Sequence, residues 1–360
     1  MEGDKRDSSH KGLKIFIIIF LSLSIFLLNE KNQERLITFF NSIGVKEKTL
    51  ELVDSFKDKE ALVSVNLYDN NIIRWNGNKL SFLKSDGSII LEKEFNFTDP
   101  FIYYGQKNIY VTDRSTGDIY YLDKNGQTIY RNQINKEIFN LKESNGYIIY
   151  HIKEAGEESI TILDKDNAII GSTSYEDKNI LTYEVNKNGK KRVLSSLDFK
   201  GNVLKSQIEV YGEKNDKLSS LDIEGEIAVY LQFISKDKII VLTDYNIYCI
   251  KEDEVLWKKQ FDLIKDIYIG EDIYILYSNY LEVIDFDGNT KNKIGFTEDY
   301  GKIMDFNGKI LVYGEKGMSI IEGNKEVLKH TDEIKEVGIS KNNILIWNND
   351  EIKIYRFSNK

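Results

Sequence analysis

Proline, cysteine and histidine are almost missing from this chain: 360 residues hold one proline, one cysteine and three histidines, with only three tryptophans. A single cysteine, Cys249, excludes an intramolecular disulfide, and its place in the apolar run Tyr-Asn-Ile-Tyr-Cys-Ile, residues 245–250, reads as a small buried hydrophobe. Freedom from disulfides leaves the redox compartment open. His10, His151 and His330 stand far apart with no cysteine pair near them, so the spacing of a zinc site is absent. His151, inside Tyr147-Ile-Ile-Tyr-His-Ile, reads as a strand residue.

Motifs for nucleotide and acyl chemistry are equally scarce. There is no phosphate-binding P-loop and no dinucleotide fingerprint. Gly317-Met-Ser-Ile-Ile lacks the second glycine of a nucleophile elbow. Acidic residues are abundant, but glycosidase chemistry requires two carboxyl groups at a set separation, which no spacing in the chain specifies. A basic face is missing too: 58 acidic residues against 49 basic ones, well interspersed, give a net charge of -9 and argue against nucleic-acid binding. These absences leave no catalytic, cofactor-binding or metal residue to assign, and no ligand-binding residue is identified.

One uncharged apolar run exists, residues 15–28 (Ile-Phe-Ile-Ile-Ile-Phe-Leu-Ser-Leu-Ser-Ile-Phe-Leu-Leu), after a leader carrying Lys5, Arg6, Lys11 and Lys14. As a helix it spans roughly 21 Å, short of a bilayer core of roughly 30 Å. Snorkelling by Lys14 and local thinning make up the difference. A cleaved signal peptide needs small residues just after the run, and none stand there. The reading is an uncleaved signal-anchor, with the basic leader held in the cytoplasm and the remainder outside. The expected order is a cytoplasmic tail (1–14), a transmembrane signal-anchor (15–28), a stalk with a possible amphipathic helix (29–60) and an extracytoplasmic domain (61–360).

From about Ala61 onward the chain repeats one pattern: three short alternating strands, an Asp-x-x-Gly-like turn and a polar outer strand. The clearest copy runs Lys265-Asp-Ile-Tyr-Ile-Gly, Asp272-Ile-Tyr-Ile-Leu-Tyr-Ser and Tyr280-Leu-Glu-Val-Ile-Asp-Phe-Asp-Gly288. A period of roughly 33 to 47 residues marks a β-propeller. First strands near 63, 101, 138, 180, 227, 264, 301 and 334 give an all-β fold of about eight four-stranded blades, with seven as the alternative because the unit at 180–226 is irregular. The last unit has three strands, so a strand from the amino-terminal side, with 46–53 as the candidate, must cover its open edge. Turns at Gly87, Gly126, Gly201 and Gly288 read as hairpin reversals. The Asp285 turn is no calcium loop, since its twelfth position is Phe296 where a bidentate glutamate is needed. Tyrosine pairs such as Tyr103-Tyr104 and Tyr120-Tyr121, with Tyr274 and Tyr277, suit strands whose rings lie between blades, although rim aromatics also stack on sugars or peptides. Asn96-Phe97-Thr98 matches a glycosylation sequon, which has no role in an ordinary bacterium.

Asp113-Arg-Ser-Thr-Gly-Asp-Ile-Tyr-Tyr-Leu and Glu254-Val-Leu-Trp-Lys-Lys resemble the repeats of quinoprotein-like (PQQ-like) propellers. With its amino-terminal anchor, the whole chain resembles an uncharacterised family of membrane-anchored propellers common in clostridia and their relatives. Only Trp75, Trp257 and Trp347 are present, so the repeated tryptophan that locks blades in quinoproteins is mostly lacking and cofactor use is not implied. The expected function is a non-enzymatic, membrane-anchored module binding a protein or envelope-polymer partner. The alternative is a degenerate quinoprotein-type oxidoreductase or a hydrolase with its site in the propeller channel.

Overall fold

The computed structural model describes residues 48–57, 62–69, 71–198 and 203–359. The anchor segment, its leader, His10 and the turn at Gly201 lie outside the described residues. Among the described residues, no helix is long and apolar enough to cross a membrane. Residues 50–358 form one compact unit; of a second unit, 1–49 with 359–360, the structure describes only 48, 49 and 359, as strand ends.

The described strands group into eight four-stranded sheets. Blades 1 to 7 span 64–94, 100–133, 138–176, 179–224, 228–260, 264–295 and 302–330, each a run of four consecutive strands. Blade 8 takes three strands, Glu336–Ser340, Asn343–Trp347 and Glu351–Asn359, and receives its fourth from Lys48–Lys57, which lies beside Glu351–Asn359. Eight blades therefore replace the alternative of seven. The closing strand covers the 46–53 candidate from Lys48 onward and extends four residues beyond it, inside the stretch read as a stalk.

Alternation along each strand explains how such small sheets become a ring. Successive side chains leave opposite faces of a strand, and here the two faces meet different neighbours. In blade 1, Ile72 enters the cluster shared with blade 8, whereas Ile73 enters the cluster shared with blade 2. Ile148 and Ile149 divide in the same way between blades 2 and 4, as do Ile239 and Ile240 between blades 4 and 6. Each fully buried Ile, Leu or Val contributes about 1.5–3 kcal/mol. Apolar doublets at strand centres are thus the glue between blades. The seam between blades 8 and 1 has such a cluster too, with Leu345, Trp347, Ile352 and Ile354 against Val65, Leu67 and Ile72.

The closing strand shows why its segment looked like a stalk. Leu50 packs against the blade 7–8 cluster and Phe56 against the blade 8–1 cluster, while Leu52 and Val53 stay exposed.

Turns between third and fourth strands of blades 2, 3 and 6 follow one design, with Asp123, Asp164 and Asp285 at their starts. The Asp285 carboxylate accepts from the amides of Asp287 (3.0 Å) and Asn289 (2.8 Å), and Gly288 sits at φ +86°. Asp123 does the same with the amides of Asn125 and Gln127 ahead of and behind Gly126. These aspartates hold backbone, as hairpin chemistry requires.

Candidate functional site

The first strand of every blade is innermost, and its centre-facing edge has no ladder partner. First strands of adjacent blades lie against one another, as Ser64–Tyr68 does with Glu336–Ser340 and Asn179–Val185 with Ala228–Phe233. Their exposed edge amides need acceptors, and polar side chains of the same strands supply them. Glu336 Oε2 accepts from the Val65 amide (3.2 Å), and Asp266 accepts from the amides of Ile303 (3.1 Å) and Ile267 (3.0 Å). Asn66 and Asn140 take the amides of Leu67 and Leu141. Lys142 and Glu184 form an ion pair at 3.4 Å between blades 3 and 4.

These groups make the centre of the ring acidic and rich in tyrosine. Burial pushes the Glu184 carboxyl up against the opposing pull of Lys142, and burial likewise raises Glu336. Tyr68 is pushed up to about 12 by burial and by the negative charges of Glu143 and Asp69; Tyr313 rises to about 12 through burial and the charges of Glu336 and Asp266. Glu336, Asp266 and Glu184 are each tied to a neighbouring blade's backbone or lysine, so this wall staples blades together. Among the described residues, no group of three or more His, Cys, Asp or Glu is placed to hold a metal.

A different feature stands at the mouth of the ring. The first strands of blades 3, 4, 5 and 6 each contain a β-bulge at the same place, and those of blades 1, 2, 7 and 8 contain none. In blade 3 the pairing jumps from Ile138 with Ile152 to Asn140 with His151, which leaves Phe139 without a partner. Leu181, Val229 and Lys265 are the equivalent extra residues of the next three blades. A bulge re-aims the side chain it leaves over. Phe139 is 53% and Val229 52% exposed, and Lys265 pairs with Asp299.

Because the strands alternate in direction, the starts of first and third strands and the links between blades share one end of the ring. Tyr245, Leu263 and Tyr280 are exposed at that end of blades 5 and 6. Leu263 is 69% exposed and is held at φ +55°, an unfavourable conformation for a bulky side chain. Blades 3, 5 and 6 thus display exposed apolar side chains at this end of the ring, forming a crescent with the half-buried Leu181 of blade 4. Its mark in the sequence is a doublet such as Ile138-Phe139 or Ile180-Leu181 where alternation predicts one apolar residue, a signal that strict alternation passes over.

Residues singled out in the sequence take structural places. His151 is buried, bonds Glu158 at 3.2 Å and packs edge-on between Phe139 and Tyr183. Its proton affinity is lowered by burial, against the pull of Glu158. His330 stacks edge-on with Tyr355, and Cys249 lies fully buried between blades 5 and 6. Tyr121 is buried, with its hydroxyl against that of Tyr150; Tyr103 and Tyr104 bond Glu143 O and the Ser64 hydroxyl across blade junctions. Tyr120 lies beneath the Arg131 guanidinium, Tyr277 bonds Glu282, and Tyr274 packs on Tyr268. Ser319, in the failed elbow, is buried and bonds Tyr300. Trp257 donates its indole N–H to Phe286 O (3.0 Å) in the turn of the next blade.

The chain belongs to a family of unknown function, DUF5711, whose model matches residues 42–360. No curated protein matches its sequence. Among solved structures, BamB from Moraxella catarrhalis is 9% identical, with 86% of this chain and 100% of that chain covered at a TM-score of 0.57. The Dos1 propeller is 11% identical, with 87% and 96% covered and a TM-score of 0.57. A eukaryotic initiation factor is 12% identical, with 84% and 88% covered and a TM-score of 0.55. At such identities the likeness concerns the fold alone.

Proposed function

We propose that this chain is a non-enzymatic scaffold that binds a protein partner through the crescent on blades 3–6, displayed outside the cytoplasmic membrane by the apolar segment 15–28. The carrying observation is the bulge shared by the first strands of blades 3–6, whose extra residues Phe139 and Val229 are exposed and Leu181 half-buried, with an exposed Leu263 at the same end. Exposed apolar side chains grouped at one end of a domain mark a contact site. The capped carboxylates at the centre support a structural use of the channel wall, and the basic leader before an uncharged run supports the placement.

The test is affinity capture from solubilised membranes with the full chain and with a Phe139→Asp/Val229→Asp/Leu263→Asp variant. The native chain retains a specific partner that the variant loses while its thermal midpoint holds. Native capture that yields nothing specific across several salt concentrations, or a variant that retains the partner, removes the proposal. Protection of a carboxy-terminal tag from protease in intact spheroplasts would overturn the placement. The enzymatic alternative draws support only from the two burial-raised carboxyls, Glu184 and Glu336; saturable binding of pyrroloquinoline quinone, lost in Glu336→Gln, would favour it.

A further inference from the structure

The end of the ring opposite the crescent carries two adjoining grooves, formed by the turns between first and second strands of blades 3, 4 and 5 and by a third-to-fourth-strand turn of blade 4. One has a volume of about 390 Å³ and the other about 320 Å³, and they share Asn186, Asn188 and Lys236 as walls. No carboxylate lines the first groove, whose polar wall is Asn145, Asn186, Lys187, Asn188, Ser235 and Lys236 above Phe233 and Ile234. That is unexpected in a chain of net charge -9.

Hydrogen bonding decides what the first groove can accept. Asn186 Oδ1 takes the Lys191 amide (3.0 Å) and Asn188 Oδ1 the Lys190 amide (3.0 Å), which fixes both side-chain NH2 groups as the ends left over. The Ser235 oxygen accepts the Lys238 amide (3.1 Å), leaving its hydroxyl hydrogen. Lys187 and Lys236 are exposed and have no ion-pair or hydrogen-bond partner among the described residues. Among the groove's side chains, apart from the Asn145 amide oxygen, the groups left over are donors, and two of them are cations.

The second groove extends the pattern with Lys190, Lys191 and Lys214. Two carboxylates line it: Glu213 pairs loosely with Lys190 at 3.5 Å, and Asp216 makes no ion pair among the described residues; Asp237, beside the groove, pairs with Lys191 at 2.5 Å. Lys214 has no such partner among the described residues. Four lysines against two lining carboxylates leave the second groove positive in balance, so an occupant offering acceptors and negative charge suits both grooves.

We infer that these grooves bind a phosphate-bearing polymer, a flexible chain of phosphodiester units, which lays successive phosphates against Lys187, Lys236 and Lys214. Phosphate oxygens accept from both ammonium and amide N–H groups. Concave walls favour a chain over a bilayer, because a flat surface would reach only the groove rims. The site lies on the opposite end of the blades from the crescent and uses none of its residues.

The experiment titrates fluorescently labelled poly(glycerol phosphate) into the full chain in detergent, with hyaluronate and phosphatidylglycerol vesicles as competing probes. The native chain binds the phosphate polymer in preference to both. Lys187→Gln/Lys236→Gln binds about 25-fold more weakly, taking about fivefold per lysine beside an anionic surface. Its slope of log affinity against log salt is shallower by about 1.4, because two phosphates are no longer neutralised. Lys84→Gln/Lys325→Gln, which removes the same charge elsewhere, binds as the native chain does. No native binding at low salt, an unchanged groove variant, or equal binding of hyaluronate overturns the inference, and preference for vesicles replaces the polymer with a bilayer. Because the crescent is untouched by these substitutions, partner capture stays intact in the groove variant, so the two proposals fail separately.

Discussion

Glu226 shows how one side chain in a link between blades is made indispensable. Burial would raise its pKa, but the hydroxyls of Thr243 (2.5 Å) and Tyr248 (2.7 Å), the Asn246 amide (2.8 Å) and Lys258 (3.0 Å) all donate to it and bring it down to about 2. A carboxyl whose folded pKa lies below its unfolded value of 4.5 adds stability that is complete above pH 4.5 and disappears as pH falls through about 2. Urea unfolding should therefore show stability dropping through this acid range, and Glu226→Gln should cost about 1–3 kcal/mol at neutral pH and flatten the acid slope. Equal slopes in the two proteins would contradict that account. Leu263 gives the opposite case, a residue that costs stability where it stands. Asn tolerates a positive φ that Leu does not, so Leu263→Asn should stabilise by up to about 1 kcal/mol in the same assay while weakening partner capture. Neither residue stood out in the sequence, because four donors drawn from three separate strands and turns leave no spacing to read. The turn aspartates were legible, because Asp285 and Gly288 act within five residues of each other.

Strands carry the next level of organisation, and they were legible wherever alternation was local. First strands placed from the sequence at 138, 180 and 264 begin at Ile138, Asn179 and Ile264. The bulges escaped because an extra residue shifts alternation by one place and resembles a longer apolar run. Outer strands add to the docking of one blade on the next: Trp257 lies over Gly288 of blade 6, where an added Cβ would stand 3.0 Å from the indole at a φ of +86°. Gly126 is confined in the same way by Phe82 and Leu91 of blade 1. Gly288→Ala should cost about 1–2 kcal/mol from the positive φ alone, and indole contact should raise this, with a shift in tryptophan emission as the second readout. An unchanged midpoint and spectrum would show the turn to be free of the indole. The closing strand is expected from an unpaired edge, yet its sequence also reads as a stalk, since within Lys48–Lys57 Leu50 and Phe56 turn inward while Leu52 and Val53 stay exposed. Beginning the chain at residue 62 should uncover the edge of Glu351–Asn359, giving a protein that self-associates; a monomeric product of native stability would show the fourth strand to be dispensable.

Closure of the whole ring depends on whether the seam between the first and last blades equals the other junctions. Two arrangements predict different behaviour. A ring closed by a loosely added strand would open at the seam first, and residues there would be cheap to truncate. A ring whose seam is packed like the rest would lose as much from a seam residue as from its counterpart elsewhere. Ile352 and Leu80 are such counterparts: each stands in the third strand of its blade, pairs with a tryptophan of the second strand, and is 0% exposed. Ile352 belongs to the cluster between blades 8 and 1, Leu80 to that between blades 1 and 2. Both clusters hold eight buried side chains, so the packing removed and the cavity left behind should be alike. Ile352→Ala and Leu80→Ala should each cost about 2–5 kcal/mol and agree to within about 1 kcal/mol by urea unfolding at constant slope. A small loss for Ile352→Ala beside a full loss for Leu80→Ala would instead identify the seam as a weak gate, and the crescent and the grooves, which sit on blades 3–6, would then lie on the half of the ring that such an opening leaves intact.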